Sequence, residues 1–287
     1  MTNSDSTMNT EVWEAIDWRK VERYVFKLQK QIFKASRQGD KKKVRQLQKT
    51  LMRSWYNRLL AVRRVSQDNR GKKTAGVDGI KSLTPIARIK LAKQLRIKGK
   101  SKATQRVWIP KPGKDEKRPL GIPTMHDRAL QGVIKNAIEP EWEAVFEPNS
   151  YGFRPGRACQ DAIQQIRVSI DRVPKYVLDA DIAKCFDKID HNALLSKLGY
   201  NGKVRQQIKA WLKSGVIDNN TFLETEEGTP QGGVISPLLA NIALHGLENH
   251  LNEFAETLDM KLSNGNQKGK RDKIKSLNFI RYADTIN

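Results

Sequence analysis

The sequence lacks most of what would suit a secreted or membrane-bound protein. It has two cysteines, Cys159 and Cys185, in 287 residues. That is too few for a disulfide framework or for the about four N/S ligands of structural zinc. The four histidines, His126, His191, His245 and His250, show no zinc spacing either. No apolar run approaches the ~20 residues that span a bilayer, and the polar start MTNSDSTMNT is no secretory signal. There is no internal repeat. Acid is scarce in one part only: residues 1–120 hold 32 of the 53 Lys and Arg but 10 of the 31 Asp and Glu. The remaining residues balance, so the whole +22 excess lies in that first part. Such asymmetry is the footprint of a polyanion-binding face, most often for nucleic acid. The plain alternative is a solvated, solubilising surface. An anionic membrane fits less well, because no basic helix carries a broad aromatic face. With 38% apolar residues the chain can still bury a core.

The periodicity predicts mixed α+β structure. Val21, Tyr24, Val25, Leu28 and Ile32 mark a helix over 12–37. Leu47, Leu51, Trp55, Leu59 and Val62 mark a second over 42–65, and Gly39-Asp40 separates the two. Residues 66–82 read as a loop and 85–99 as a short basic helix. Two extended runs, 106–109 and 119–123, flank the turn Lys111-Pro112-Gly113-Lys114. Helices are expected over 127–146, 159–170, 194–216 and 235–254, with a polar basic connector at 263–276. Residues 175–182 read as a buried strand and 277–283 as a last one.

Both of those strands end in a carboxylate, Asp181 and Asp284. An acid ending an apolar strand is costly to bury unless a cation or donor partners it. Two such acids on neighbouring strands suit a pair of hard divalent ions that bind substrate phosphates. Singly, each Asp reads equally as a turn or cap residue. Asp187 and Asp190 read as caps of the next helix, and Cys185 as packing.

The motifs go further. Tyr282-Ala283-Asp284 after Phe279-Ile280-Arg281 resembles the YADD core of reverse transcriptases, and LDADIAKCFDKID (178–190) resembles their palm motif A. Residues 228–238 (GTPQGGVISPL) are similar to motif B. YGFRPGR (151–157) and WIPKPGKDEKRPLGIPT (108–124) resemble the fingers segments before the palm. The basic extension further resembles bacterial group II intron-encoded reverse transcriptases/maturases. The resemblance implies the fingers and palm of a right-hand polymerase, with an antiparallel palm sheet backed by helices. Its division would be 1–65 as extension, 66–170 as fingers and 171–287 as palm.

The resemblance also implies roles. Asp181 and Asp284 would be catalytic and, with the Ile182 carbonyl, would hold two Mg²⁺ ions. Lys111 and Arg118 would grip the triphosphate of a dNTP. Phe186 would exclude a 2′-hydroxyl, or else simply pack in the core. Gln231 and Gly232 would approach the nucleotide. Lys41, Lys42, Lys43, Arg45, Lys49, Arg53, Arg58, Arg63 and Arg64 would bind group II intron RNA. A DNA target or primer completes the expected partners, in a bacterial cytoplasmic, nucleoid-associated ribonucleoprotein.

Two departures stand out. Thr285 replaces the second Asp of YADD, and Asn287 follows closely. The expectation is a reverse transcriptase cut short before its return strand, thumb and any nuclease domain, hence a weak polymerase. The alternative is an inactive maturase fragment that grips intron RNA and assists splicing. A retron or diversity-generating enzyme fits less well, given the long basic extension.

Overall fold

A computed structural model describes residues 13–110, 113, 115–171, 175–262 and 265–286. In chain order the main elements are α1 (Trp18–Arg37), α2 (Lys41–Arg53), α3 (Trp55–Arg63), α4 (Pro85–Gln94), β1 (Thr104–Pro110), β2 (Lys117–Ile122), α5 (Met125–Glu143), α6 (Cys159–Ile170) and β3 (Ala180–Asp181). There follow α7 (His191–Leu198), α8 (Gly202–Leu212), β4 (Val216–Asp218), β5 (Thr221–Leu223), α9 (Ser236–Leu244), α10 (Leu247–Thr257), α11 (Lys270–Ser276), β6 (Arg281–Tyr282) and β7 (Thr285–Ile286). The chain divides into two compact units, Met1–Val145 with Phe186–Ala240, and Phe146–Cys185 with Asn241–Asn287. Among the described residues no helix is long and apolar enough to cross a membrane.

The first unit is organised around α5. Apolar residues of this helix, among them Leu130, Val133, Ile134, Ala137 and Ile138, are buried as their spacing predicts, against α1, α2 and α3. Its buried polar residues anchor loops instead of lining a charged face. Arg128 donates to the carbonyls of Pro123, Gly71 and Thr74 at 2.9, 3.0 and 2.7 Å. Asp127 accepts from the Thr124 hydroxyl and the Trp211 indole. Each polar group thus satisfies the backbone or side chain it fixes, which offsets the cost of burial.

The predicted helix over 42–65 is two helices broken at Ser54. Ser54 takes an extended ψ of 133°. Asn57 Nδ2 then satisfies the Leu51 carbonyl at 3.1 Å, and Arg58 Nη2 the Arg53 carbonyl at 2.8 Å. The expected helix over 194–216 likewise breaks, between α7 and α8, ends at Leu212, and leaves its last residue, Val216, to open β4. β4 turns through Asn219-Asn220, both at positive φ, into β5. It also runs parallel beside β1, giving the sheet order β2-β1-β4-β5.

In the second unit the expected helix over 235–254 divides at Gly246, whose φ is +100°. The expected connector contains α11. The small sheet has the order β3-β7-β6, all antiparallel. The strand expected over 175–182 shrinks to Ala180–Asp181, and Tyr176, Val177 and Leu178 are exposed, at 107%, 64% and 78%. Among the described residues β3 takes up pairing at Ala180, which meets Ile286. Ile166, Ile170, Leu178, Leu251, Leu277 and Phe279 line an apolar groove of about 470 Å³ beside that segment.

Candidate active site

β6 ends at Tyr282 and β7 begins at Thr285, so Ala283 and Asp284 form the connecting turn. The return strand expected to be missing is therefore begun, by Thr285–Ile286. The two acids do not project from neighbouring strands as expected, because β7 lies between β3 and β6. Asp284 lies instead in the turn that feeds β7. Asp181 pairs with Thr285, and the Ile182 amide donates to the Asp284 carbonyl at 3.0 Å. The acids thus stand one register step apart on adjoining chain segments. Asp181 is exposed and Asp284 half-buried. Thr285 Oγ1 lies 3.5 Å from Asp181 Oδ1. The Ile182 carbonyl accepts from the Cys185 amide at 3.2 Å, which uses one of its two lone pairs.

Among the described residues no cluster of three or more His, Cys, Asp or Glu surrounds this pair. Two carboxylates and one carbonyl are nevertheless hard oxygen donors. They fit a hard divalent cation that keeps water or takes phosphate oxygens in its other positions. Thr285→Asp adds a carboxylate opposite Asp181. That substitution is expected to tighten Mn²⁺ binding roughly tenfold through the added ligand charge. It should also lower stability without metal, since like charges then face each other. Mn²⁺ titration by electron paramagnetic resonance, with melting curves, checks both.

The turn itself is held under strain. Ala283 has φ +59°, a left-handed conformation disfavoured for a residue with a side chain. A Cβ on Gly152 would lie 2.1 Å from the Ala283 nitrogen, so only glycine fits beside the turn. Asn241 Nδ2 fixes Gly152 through its carbonyl at 2.9 Å. Arg281 is fully buried. Its Nη1 donates to Asn241 Oδ1 and the Ala283 carbonyl at 3.1 and 2.7 Å, and its Nη2 to Ser150 Oγ at 2.6 Å. Burial pulls this guanidinium below the usual arginine range, while the nearby Glu147 charge opposes the shift. Gly152, Ser150, Asn241 and Arg281 carry no site signal in the sequence beyond a lone Arg inside the apolar run Phe279-Ile280-Arg281-Tyr282.

The nucleotide-contact candidates Arg118, Phe186, Gln231 and Gly232 lie in the first unit. The Gly121 amide donates to the Gln231 carbonyl at 2.8 Å. Gly232, at φ +122°, comes so near β2 that a Cβ would sit 2.9 Å from the Gly121 carbonyl oxygen. The Thr229 amide donates to the Phe186 carbonyl at 2.6 Å, and the Gly228 amide to that of Ile189 at 2.8 Å. Buried His191 meets the Gly228 carbonyl at 2.7 Å, and Asp190 caps α7. The Gly-rich turn therefore ties the Phe186 segment to the hairpin that carries Arg118. Phe186 is half-buried; Arg118 is exposed on β2 opposite Ile109. Lys111 lies outside the described residues.

The basic candidates separate into two groups. Lys41, Lys42, Lys43, Lys49 and Arg53 are exposed along α2. The others are engaged within the fold. Arg45 pairs with Glu141 at 2.6 Å and stacks over Tyr200, whose hydroxyl donates to the same carboxylate. Arg58 holds the Arg53 carbonyl. Arg63 reaches Glu22, Asp68 and the Trp18 ring, and Arg64 donates to Asn136.

Residues 13–95 match the family described as "N-terminal domain of reverse transcriptase", and residues 109–287 match "Reverse transcriptase (RNA-dependent DNA polymerase)". The Group II intron-encoded protein LtrA of Lactococcus lactis subsp. cremoris is 39% identical over 55% of this chain and 26% of its own length. Protein YkfC of Escherichia coli K12 is 34% identical, covering 66% of this chain and 53% of that protein. Maturase-like protein 1 of Euglena gracilis is 32% identical over 81% and 51%. The chain thus spans between about a quarter and a half of these relatives. The domain match implies a general dependence on divalent metal and a nucleic-acid partner. With more than half of its residues inside that second match, the chain belongs to the reverse transcriptase family.

Proposed function

We propose that the chain is an RNA-directed DNA polymerase of the group II intron type with maturase-type grip on intron RNA. The observation that supports the reading is that Asp181 pairs with Thr285 while the Ile182 amide meets the Asp284 carbonyl, so the two acids lie on adjoining backbone segments. In this reading 1–65 form the basic extension, 66–170 the fingers and 171–287 the palm. Asp181, Asp284 and the Ile182 carbonyl hold two Mg²⁺ ions, which when bound neutralise charge on the substrate phosphates. Arg118 and Lys111 orient the triphosphate of the dNTP. Phe186 meets the sugar, with Gln231 and Gly232 close to the nucleotide. Joining the primer 3′-oxygen to the α-phosphorus, with pyrophosphate leaving, asks the protein mainly for positioning and charge. The test is primer extension on poly(rA)/oligo(dT) with Mg²⁺. Weak product is expected because Thr285 brings no charge; robust processive product would contradict that impairment.

A second reading, an inactive maturase fragment that binds intron RNA, is favoured by the five exposed cations of α2. Under either reading, alanines at Lys41, Lys42, Lys43, Lys49 and Arg53 should weaken RNA binding. The slope of log K against log[salt] should also flatten by roughly 0.7 for each lost phosphate contact. Arg45→Ala should instead lower the melting temperature, because Glu141 loses its salt-bridge partner and Tyr200 the guanidinium over its ring. Filter binding across a salt series, with melting curves, separates the two outcomes.

A further inference from the structure

Arg281 is an expensive residue to place where it lies. A guanidinium with no solvent exposure must have strong partners to offset lost hydration. Its hydrogen-bond partners here are neutral, Ser150 Oγ, Asn241 Oδ1 and the Ala283 carbonyl, with the Glu147 charge acting on it without a direct bond. Its Nε has no hydrogen-bond partner among the described residues. A fold seeking only stability would place an apolar side chain there. What the arginine does locally is specific. Its backbone amide and carbonyl bond Asn149 and Tyr151, which fixes β6 against that segment, while its side chain reaches forward two residues to the turn. The bond to the Ala283 carbonyl holds a residue at φ +59°, immediately before Asp284. Strain of this kind persists only when the surroundings over-determine it, and it gathers where geometry serves function. Asn241 completes the device, because it binds Arg281 with its oxygen and Gly152 with its nitrogen.

We propose that Arg281 is a positioning residue for the metal-binding acid Asp284. Through the Ala283 carbonyl, with Ser150 and Asn241 as its fixed supports, it locks the turn so that the Asp284 carboxylate is held toward Asp181. This rests on the reading of Asp181 and Asp284 as metal ligands, and deepens it by naming what aims one of them. Groups that orient metal ligands typically matter 10–100-fold in metal affinity.

Mn²⁺ alone, titrated into the full chain and followed by electron paramagnetic resonance, tests the proposal without any turnover. Arg281→Met keeps the length and apolar stem but removes every donor; Ser150→Ala removes a single support and leaves the packing. Asp181→Asn is the control for the ligand pair. The expected result is a dissociation constant raised at least ~10-fold by Arg281→Met and severalfold by Ser150→Ala, at unchanged stoichiometry. Asp181→Asn should lose the site, and RNA binding by α2 should stay as it is in all three. Reduced stoichiometry at an unchanged dissociation constant would make Arg281 a folding residue only, and overturn the proposal. So would unaltered binding in both Arg281→Met and Ser150→Ala while Asp181→Asn loses the site. Should Asp181→Asn bind Mn²⁺ as the parent does, the ligand reading fails, and the role of Arg281 falls with it.

Discussion

Asp181→Asn is expected to reduce RNA-templated nucleotide incorporation by on the order of a thousandfold or more, since the metal ligand supplies several kcal/mol of charge stabilisation. The substitution suits the purpose because it changes so little else. Asp181 is exposed, and β3 is held by its main chain, through pairing with Thr285 and the bond from Ile182 to Asp284. Asn keeps the size and the backbone bonds while removing the charge. Melting temperature and RNA affinity should therefore match the parent, and single-nucleotide incorporation at saturating Mg²⁺ is the measurement. Equal rates in parent and variant would move any chemistry away from this pair. A parent with no incorporation, but salt-sensitive RNA binding, would favour the maturase-fragment reading.

The second large effect concerns a residue with no side chain. In Gly152→Ala the new methyl would begin 2.1 Å from the Ala283 nitrogen and 2.7 Å from its Cα. The obstacle is backbone, so no rotamer change relieves it. Ala283, already in a left-handed conformation, has to move by about an ångström, and a misplacement of that size near reacting groups can cost about a hundredfold in rate. Overpacking of this kind also destabilises by roughly 1–3 kcal/mol. Incorporation should fall about a hundredfold or further, with a lower melting temperature. Gly156, whose added Cβ would meet nothing within 4 Å, is a control for space. Its φ of +70° makes alanine there strained for a different reason, so a modest melting loss with retained incorporation is the expected contrast.

Local signals carried much of the architecture. The helix over Cys159–Ile170 and the antiparallel pair β1-β2 follow from periodicity and extended apolar runs, which act within a few residues; the turn expected at Lys111-Pro112-Gly113-Lys114 lies mostly outside the described residues. The breaks at Ser54 and Gly246 were hidden because an apolar stripe can continue in phase across a short interruption. β4 and β5 were missed although Asn219-Asn220 is a hairpin signal; β4 owes its place to pairing with β1, over a hundred residues earlier. The 175–182 run is apolar enough for a buried strand, but apolarity does not supply a partner, and among the described residues Ala180 and Asp181 alone of that run pair with β7. For the candidate site, motif resemblance points to Asp181 and Asp284, while the backbone placement of the two depends on an order, β3-β7-β6, that no local pattern encodes. The cations of α2 looked alike in sequence; only packing separates Lys49, which faces water, from Arg45, which is clamped by Glu141 and Tyr200.

The open segment Tyr176–Leu178 and the groove beside it govern how this polypeptide must be handled. Bare aliphatic and aromatic groups of this kind invite other molecules to add on, a route to precipitation that charge elsewhere does not block. The cationic end repels its copies at low ionic strength, and salt removes that protection. Purification in high salt, the habitual way to strip nucleic acid, is therefore expected to bring on self-association, which light scattering across a salt series, with and without a mild detergent, checks.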